Sequence, residues 1–228
     1  MRGLRVGLAV GLAAVVAVAA VAVAQPRNGG FETRDFSGGW KTVGVDGFSG
    51  APAPSQWEVY GSADRGGAST VDFTPPQGLF AAGVHQEDRP GLDILHRKLR
   101  LAKGKINKLS FFLAWENIAA NFHSPRSFRC RRAKGPSRAG ARNRNQQFRI
   151  DILKANAPIR SLRRKHVLTT LVKTTNRTRD KRGFRKQTFN LTREGVRKRR
   201  VQLRVATCVN LAPLAVAIDQ VKQRTKRR

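Results

Sequence analysis

The sequence predicts an all-β protein, a β-sandwich of two antiparallel sheets that follows an export signal. Three observations lead there. Short segments in which every second residue is apolar recur along the chain. Gly, Pro and Asn collect at the joints between them. No segment carries apolar residues at sustained helical spacing with capping residues at its ends. Alternation with one apolar face suits a strand whose sheet packs on one side and meets water on the other. Eight or more short strands of this kind form a sandwich.

The chain opens with Arg2 and Arg5, then runs from 6 to 24 as nineteen uncharged residues, all Val, Ala, Leu or Gly. The run closes Ala22-Val23-Ala24 before Gln25-Pro26-Arg27. Small residues three and one before a cut fit signal peptidase, so 1–24 reads as a signal peptide cleaved after Ala24. Nineteen apolar residues also nearly span a bilayer, which leaves an uncleaved anchor as the other reading. Under both, the remaining chain is expected to be secreted or associated with the cell envelope.

In chain order, strands are expected at 57–60, 79–84, 92–101 and 109–115; in the last, every second residue from Leu109 is large and apolar. Residues 117–145 lack periodicity and read as a long basic loop, functional or disordered. Phe148, Ile150 and Ile152 then alternate with Arg149 and Asp151. A β-branched run covers 167–172, and a looser pattern 184–191. Val201, Leu203 and Val205 alternate with Gln202 and Arg204, and Leu214, Val216 and Ile218 with Ala215, Ala217 and Asp219. One domain is therefore expected at 25–222, with 223–228 as a basic tail.

Charge sharpens this picture. The 228 residues carry 45 Lys and Arg against 14 Asp and Glu, a formal net charge of +31. Residues 25–90 hold five basic against eight acidic residues, while 91–228 hold 38 against six, so the basicity belongs to the later loops and tail. Clusters such as Arg129, Arg131 and Arg132, Arg163 to Lys165 and Arg197 to Arg200 suit phosphate, sulfate or carboxylate groups. Aromatic residues are sparse between them, and neither helix-turn-helix nor zinc-finger spacing occurs, so no specific nucleic-acid partner is expected.

The segment Asn28-Gly29-Gly30-Phe31-Glu32-Thr33-Arg34-Asp35-Phe36-Ser37-Gly38-Gly39-Trp40 resembles the first strand of exported bacterial galactose-binding-like jelly-roll domains. Carbohydrate-binding modules of related fold open in a similar way. Further segments are similar in the same order: Pro75-Pro76-Gln77-Gly78, Leu109-Ser110-Phe111, Asn145-Gln146-Gln147-Phe148-Arg149-Ile150-Asp151-Ile152 and Ala217-Ile218-Asp219-Gln220-Val221. The resemblance spans nearly all of the mature chain and implies a jelly-roll β-sandwich. The chain departs from the pattern at Arg34, where a turn Gly is usual, and in its basic load after Arg126.

The resemblance also implies a structural calcium ion. A first-strand and a last-strand carboxylate meet in similar domains, and Glu32 and Asp219 match those positions, with Asp46 as a further oxygen donor. Pairing of the same carboxylates with arginine is the other reading. For a glycan, Trp115 and Trp40 offer stacking rings, and Asn117, His123 and Arg126 a polar rim, while core packing of both tryptophans stands as the alternative. Cys130 and Cys208 are expected to pair if their Cα atoms come within about 7 Å, since an exported chain can form disulfides.

Catalysis is not expected. His85, His96, His123 and His166 stand alone, no nucleophile-elbow motif occurs, and Asp93 and Glu116 could pair for glycoside hydrolysis only in principle. The sequence therefore predicts a secreted, non-catalytic binding protein for carbohydrate or an anionic envelope or matrix polymer. Membrane contact would come only through an uncleaved signal segment or the basic surface. A structural or adhesive surface protein, or an enzyme accessory module, is the alternative.

Overall fold

The computed structural model describes residues 29–61, 73–86, 90–119, 121–131 and 144–227. The expected signal peptide lies outside them, as does most of the second half of loop 117–145. The described chain forms β1 (Trp40–Asp46), β2 (Pro52–Ala53), β3 (Trp57–Gly61), β4 (Phe80–Gln86), β5 (Gly91–Arg100) and β6 (Ile106–Asn117). It continues with β7 (Gln146–Lys154), β8 (Val167–Lys173), β9 (Lys181–Asn190), β10 (Arg200–Val209) and β11 (Leu214–Lys226). A six-stranded sheet runs β2-β1-β5-β10-β7-β8 and a five-stranded sheet β3-β4-β11-β6-β9. The neighbouring strands pair antiparallel throughout.

The alternation in the sequence is the sandwich core. Leu109, Phe111, Leu113 and Trp115 of β6 and Val216 and Ile218 of β11 face Phe148, Ile150 and Ile152 of β7 and Val201, Leu203 and Val205 of β10. Most of these side chains are wholly buried. Burying each contributes about 1.5–3 kcal/mol, which is why this pattern fixes both the faces and the register of the strands.

Two segments differ from expectation. Residues 29–39 form turns instead of a first strand, and β1 starts only at Trp40. Phe31 and Arg34 take φ of 57° and 56°, the left-handed region, so Arg34 adopts the conformation that the usual glycine would supply. The expected basic tail is mostly strand. A bulge between Asp219 and Lys222 shifts the register of β11 on β6, so Val221 and Gln223 turn inward while Lys222 and Arg224 turn outward. Gln223 donates through Nε2 to the Arg100 carbonyl at 2.8 Å. Strict alternation continued from Leu214 would have driven Lys222, Arg224 and Lys226 into the core.

Candidate functional site

The outer face of the six-stranded sheet is not bare. Leu92 and Ile94 of β5 and Ala206 and Cys208 of β10 point away from the core, and with Val43 and Val45 they meet Phe128, Cys130 and Ile159 of two overlying loops. A disulfide joins Cys130 of the first loop to Cys208 of β10, Cα to Cα 5.4 Å, across 78 positions of sequence. Closing a loop of that length contributes about 4 kcal/mol in the chain-entropy account. Structural disulfides of this kind belong to oxidising, extracytoplasmic compartments.

Polar side chains of the sheet hold both loops by their backbones. Asn145 donates through Nδ2 to the carbonyls of Ser127 (3.1 Å) and Arg129 (3.0 Å), Gln147 through Nε2 to Ser127 (3.1 Å), and Asn210 through Nδ2 to Arg131 (2.9 Å). The second loop is held by Arg204, which is wholly buried and donates through Nη1 to the carbonyls of Ile159 (2.6 Å) and Ser161 (2.9 Å). The other nitrogens of Arg204 bind Asp151, which also accepts from Arg149 and from the Thr170 hydroxyl at 2.7 Å. Burial works to raise the Asp151 carboxyl, but the two guanidiniums outweigh it and hold it below the usual carboxylate range. Both guanidiniums also lie over the Phe128 ring, at 5.9 Å for Arg149 and 5.0 Å for Arg204.

Between these loops and the end of β1 opens a cleft of about 440 Å³. Arg129, Arg131 and Arg160 line it over a floor that includes Val45, Leu92 and Phe128. Arg160 sits between the two carbonyls gripped by Arg204, so a buried ion pair sets the position of a cleft residue. At Gly47 the backbone passes so close to the carbonyls of Pro90 and Cys130 that a Cβ would collide with both. An adjoining hollow of about 360 Å³ shares Val45 and Asp46 and reaches Asp93. Burial pushes the Asp93 carboxyl up, against bonds from the Gln56 N–H (2.8 Å) and Gln86 Nε2 (2.6 Å). A cleft lined by three arginines and one aspartate, the latter engaged in its own turn, with apolar Val45, Leu92 and Phe128 beside them, suits an anionic group attached to a weakly polar body. Cleft volumes of this size are typical of small-ligand sites.

The residues expected to bind a glycan lie elsewhere. Trp115 and Trp40 are each 4% exposed and packed in the core, Trp115 on Phe148 and Trp40 on Phe31. Trp115 also donates through Nε1 to the Arg179 carbonyl at 2.9 Å and lies under the Lys181 ammonium. Neither ring presents a face to a sugar. Asn117 is buried, accepting from Gln146 Nε2 at 2.9 Å, and His123 pairs with Gln146 through backbone bonds. Arg126 is exposed but does not line the cleft. The carboxylates Asp93 and Glu116 sit on opposite sheets, and Glu116 pairs with Arg182.

The structure does bring Glu32 and Asp219 together. The Gly29 carbonyl accepts from the Val221 N–H at 2.8 Å, which lays the N-terminal turns against the β11 bulge. Asp219 is wholly buried; its Oδ1 accepts from the Gln220 N–H, while its Oδ2 has no hydrogen-bond partner. Burial, with Glu32 adding repulsion, pushes the Asp219 carboxyl up to about 8. Glu32 accepts from the Leu79 N–H at 3.0 Å and occupies the space a Cβ at Gly78 would fill. Gln220 has φ of 49°, so three non-glycine residues in the left-handed region gather at this one corner. An orphaned carboxylate oxygen beside a second carboxylate fits a hard cation that draws its other ligands from amide and main-chain oxygens. Among the described residues no third Asp, Glu, His or Cys joins them, and Asp46 is engaged in its own turn with Phe48 and Ser49.

No protein-family model matches the chain, and no curated protein matches it. Among solved structures it is similar to the carbohydrate-binding module TmCBM61 in complex with beta-1,4-galactotriose, at 14% identity over 89% of this chain and 97% of that one, TM-score 0.48. It is similar to a cyclase from Fischerella sp. TAU at 17% identity, covering 88% and 96%, TM-score 0.45. It is also similar to the family 11 carbohydrate-binding module of a Clostridium thermocellum cellulosomal cellulase at 9% identity, covering 91% and 98%, TM-score 0.37. The sandwich assignment itself stands on the strand pairing described above.

Proposed function

We propose that this chain is a non-catalytic binding protein for an anionic glycan outside the cytoplasm. The arginine-lined cleft receives the acidic group, and its apolar floor receives the face of the sugar ring. One observation carries the reading. Arg129, Arg131 and Arg160 line one concave site whose walls are fixed by a disulfide, by three amide side chains and by a buried arginine. Such a pre-formed site spends little entropy on ordering when a ligand binds.

Calorimetry with a uronate or sulfated tetrasaccharide, against a neutral tetrasaccharide of the same size, tests it. The acidic ligand is expected to bind at least tenfold more tightly, to weaken steeply with salt, and to lose at least tenfold in R129Q/R131Q/R160Q. Equal affinity for the neutral ligand, or a triple variant that binds as the parent does, overturns the reading. We also propose that Asp219 and Glu32 hold a structural Ca²⁺. The ion would supply the directly bonded positive charge that the orphaned Asp219 Oδ2 lacks.

A further inference from the structure

The outer face of the five-stranded sheet carries basic residues that the cleft does not use. On β11, Lys222, Arg224 and Lys226 project outward beyond the bulge, between the inward Val221, Gln223 and Thr225. On β6, Lys108 and Ser110 flank the inward Leu109. On β9, Lys186, Thr188 and Asn190 share that face. The register sets Arg224 opposite Lys108, and Lys108 opposite Asn190; Lys222 faces Ser110, and Ser110 faces Thr188. Outward residues repeat about every 6.8 Å along a strand and neighbouring strands lie about 4.8 Å apart, so these groups form a regular grid of donors.

Like charges set directly opposite destabilise a sheet. The ion pairs formed among the described residues engage Arg149, Arg204 and Arg182, not this grid. Lys222 acts on the buried Asp219 carboxylate, which leaves Lys108, Lys186, Arg224 and Lys226 as the cations of the grid. The grid therefore fits an anion that comes from outside the chain.

We propose that this face is a second binding surface for an acidic polysaccharide, on the opposite side of the sandwich from the cleft, so that one molecule holds two polymer chains. The chemistry of the face selects that partner. The hydroxyls of Ser110 and Thr188 and the amide of Asn190 lie among the cations and suit sugar hydroxyls as well as acidic groups. Phe112, half-buried beside Lys186, offers one ring to a sugar face, whereas a surface for single-stranded nucleic acid stacks successive bases on several rings. The apolar side chains on this face, Ile106 and Phe112, are both half-buried, whereas insertion into lipid needs exposed ones. Binding at this face uses residues separate from the cleft and stands on its own, while the holding of two chains rests also on the cleft reading.

The test is calorimetric stoichiometry with a sulfated octasaccharide at low salt, together with light scattering on a long sulfated polysaccharide. The proteins are the parent, the face variant K108Q/K186Q/K222Q/R224Q and the cleft variant R129Q/R131Q/R160Q. The parent is expected to bind two oligosaccharides and to cross-link the polymer. The face variant should bind one, at the cleft, with cross-linking lost, and should melt at the same temperature or higher because opposed cations have been removed. A parent with one site that the face variant keeps overturns this proposal and leaves the cleft. One site lost only in the face variant sinks the cleft reading and supports this one. Tighter face-dependent binding to anionic vesicles or to a single-stranded oligonucleotide overturns the choice of partner.

Discussion

Asp151 and Asp219 are both wholly buried, and each lies beside isoleucines of the core, Ile150 and Ile152 for the first and Ile218 for the second. Their surroundings could hardly differ more. Asp151 accepts bonds from two guanidiniums and a threonine hydroxyl, and its carboxyl is held below the usual range. Asp219 has one backbone donor and an orphaned Oδ2, with Glu32 repelling and Lys222 weakly attracting its charge, and burial pushes its carboxyl up to about 8. Burial opposes ionisation at both positions. What decides the outcome is whether the protein bonds a positive charge directly to the carboxylate. At Asp151 two guanidiniums do so, and the ion pair locks a loop; at Asp219 Lys222 acts only as the least of the influences and makes no bond to it, which fits a charge supplied from solution.

The largest expected effect breaks the self-sufficient pair. Asp151→Ala leaves Arg204 and Arg149 charged in the interior, which should cost about 3–5 kcal/mol in denaturant unfolding. It should also weaken binding of the acidic tetrasaccharide, because Arg204 positions the carbonyls on either side of Arg160. A loss below 1 kcal/mol would show that water reaches the pair.

The second prediction concerns pH and calcium at Asp219. Without calcium the folded carboxyl keeps its proton up to about pH 8, while the unfolded one loses it near 3.8. Between about pH 4 and 8 the unfolded state therefore binds fewer protons, so this residue makes stability fall as pH rises, and level off above 8. Asp93, also raised by burial, adds in the same direction. His96, lowered by burial and by Lys41 and Lys98, acts oppositely, since the unfolded imidazole holds its proton longer. The Asp219 share is isolated as the difference between the parent and Asp219→Asn, both in chelator. Calcium at 100 times its dissociation constant should stabilise the parent by about 2.7 kcal/mol, most visibly at pH 8, and leave Asp219→Asn unmoved. Equal melting of the parent with calcium and with chelator would refute the ion.

How much of this was legible follows from which interactions are local. Strand faces were readable because period two is written into neighbours such as Phe148, Ile150 and Ile152. Asp219 was readable as an acid in an apolar strand. The cleft was not, because Arg129 and Arg160 lie far apart in sequence and meet only through the disulfide and through Arg204. The tryptophans misled because a ring that suits a sugar face suits a core equally well. The cationic grid was hidden by the bulge after Asp219: it reverses the faces of β11, and no alternation read from Leu214 onward contains that reversal.

The smallest effect separates the two causes that raise the Asp219 carboxyl. Burial is the larger, and repulsion from Glu32 the lesser. Glu32→Gln removes the repulsion but keeps a side-chain carbonyl able to accept from the Leu79 N–H. In chelator the variant should therefore fold as the parent does, with the Asp219 titration midpoint moved down only slightly, as read by carboxyl ¹³C shifts. Calcium affinity, in contrast, should fall clearly, because a charged ligand has become a neutral one. A large drop in the midpoint would mean that the two carboxylates share one proton as a coupled pair, and that water, not a dry interior, surrounds Asp219.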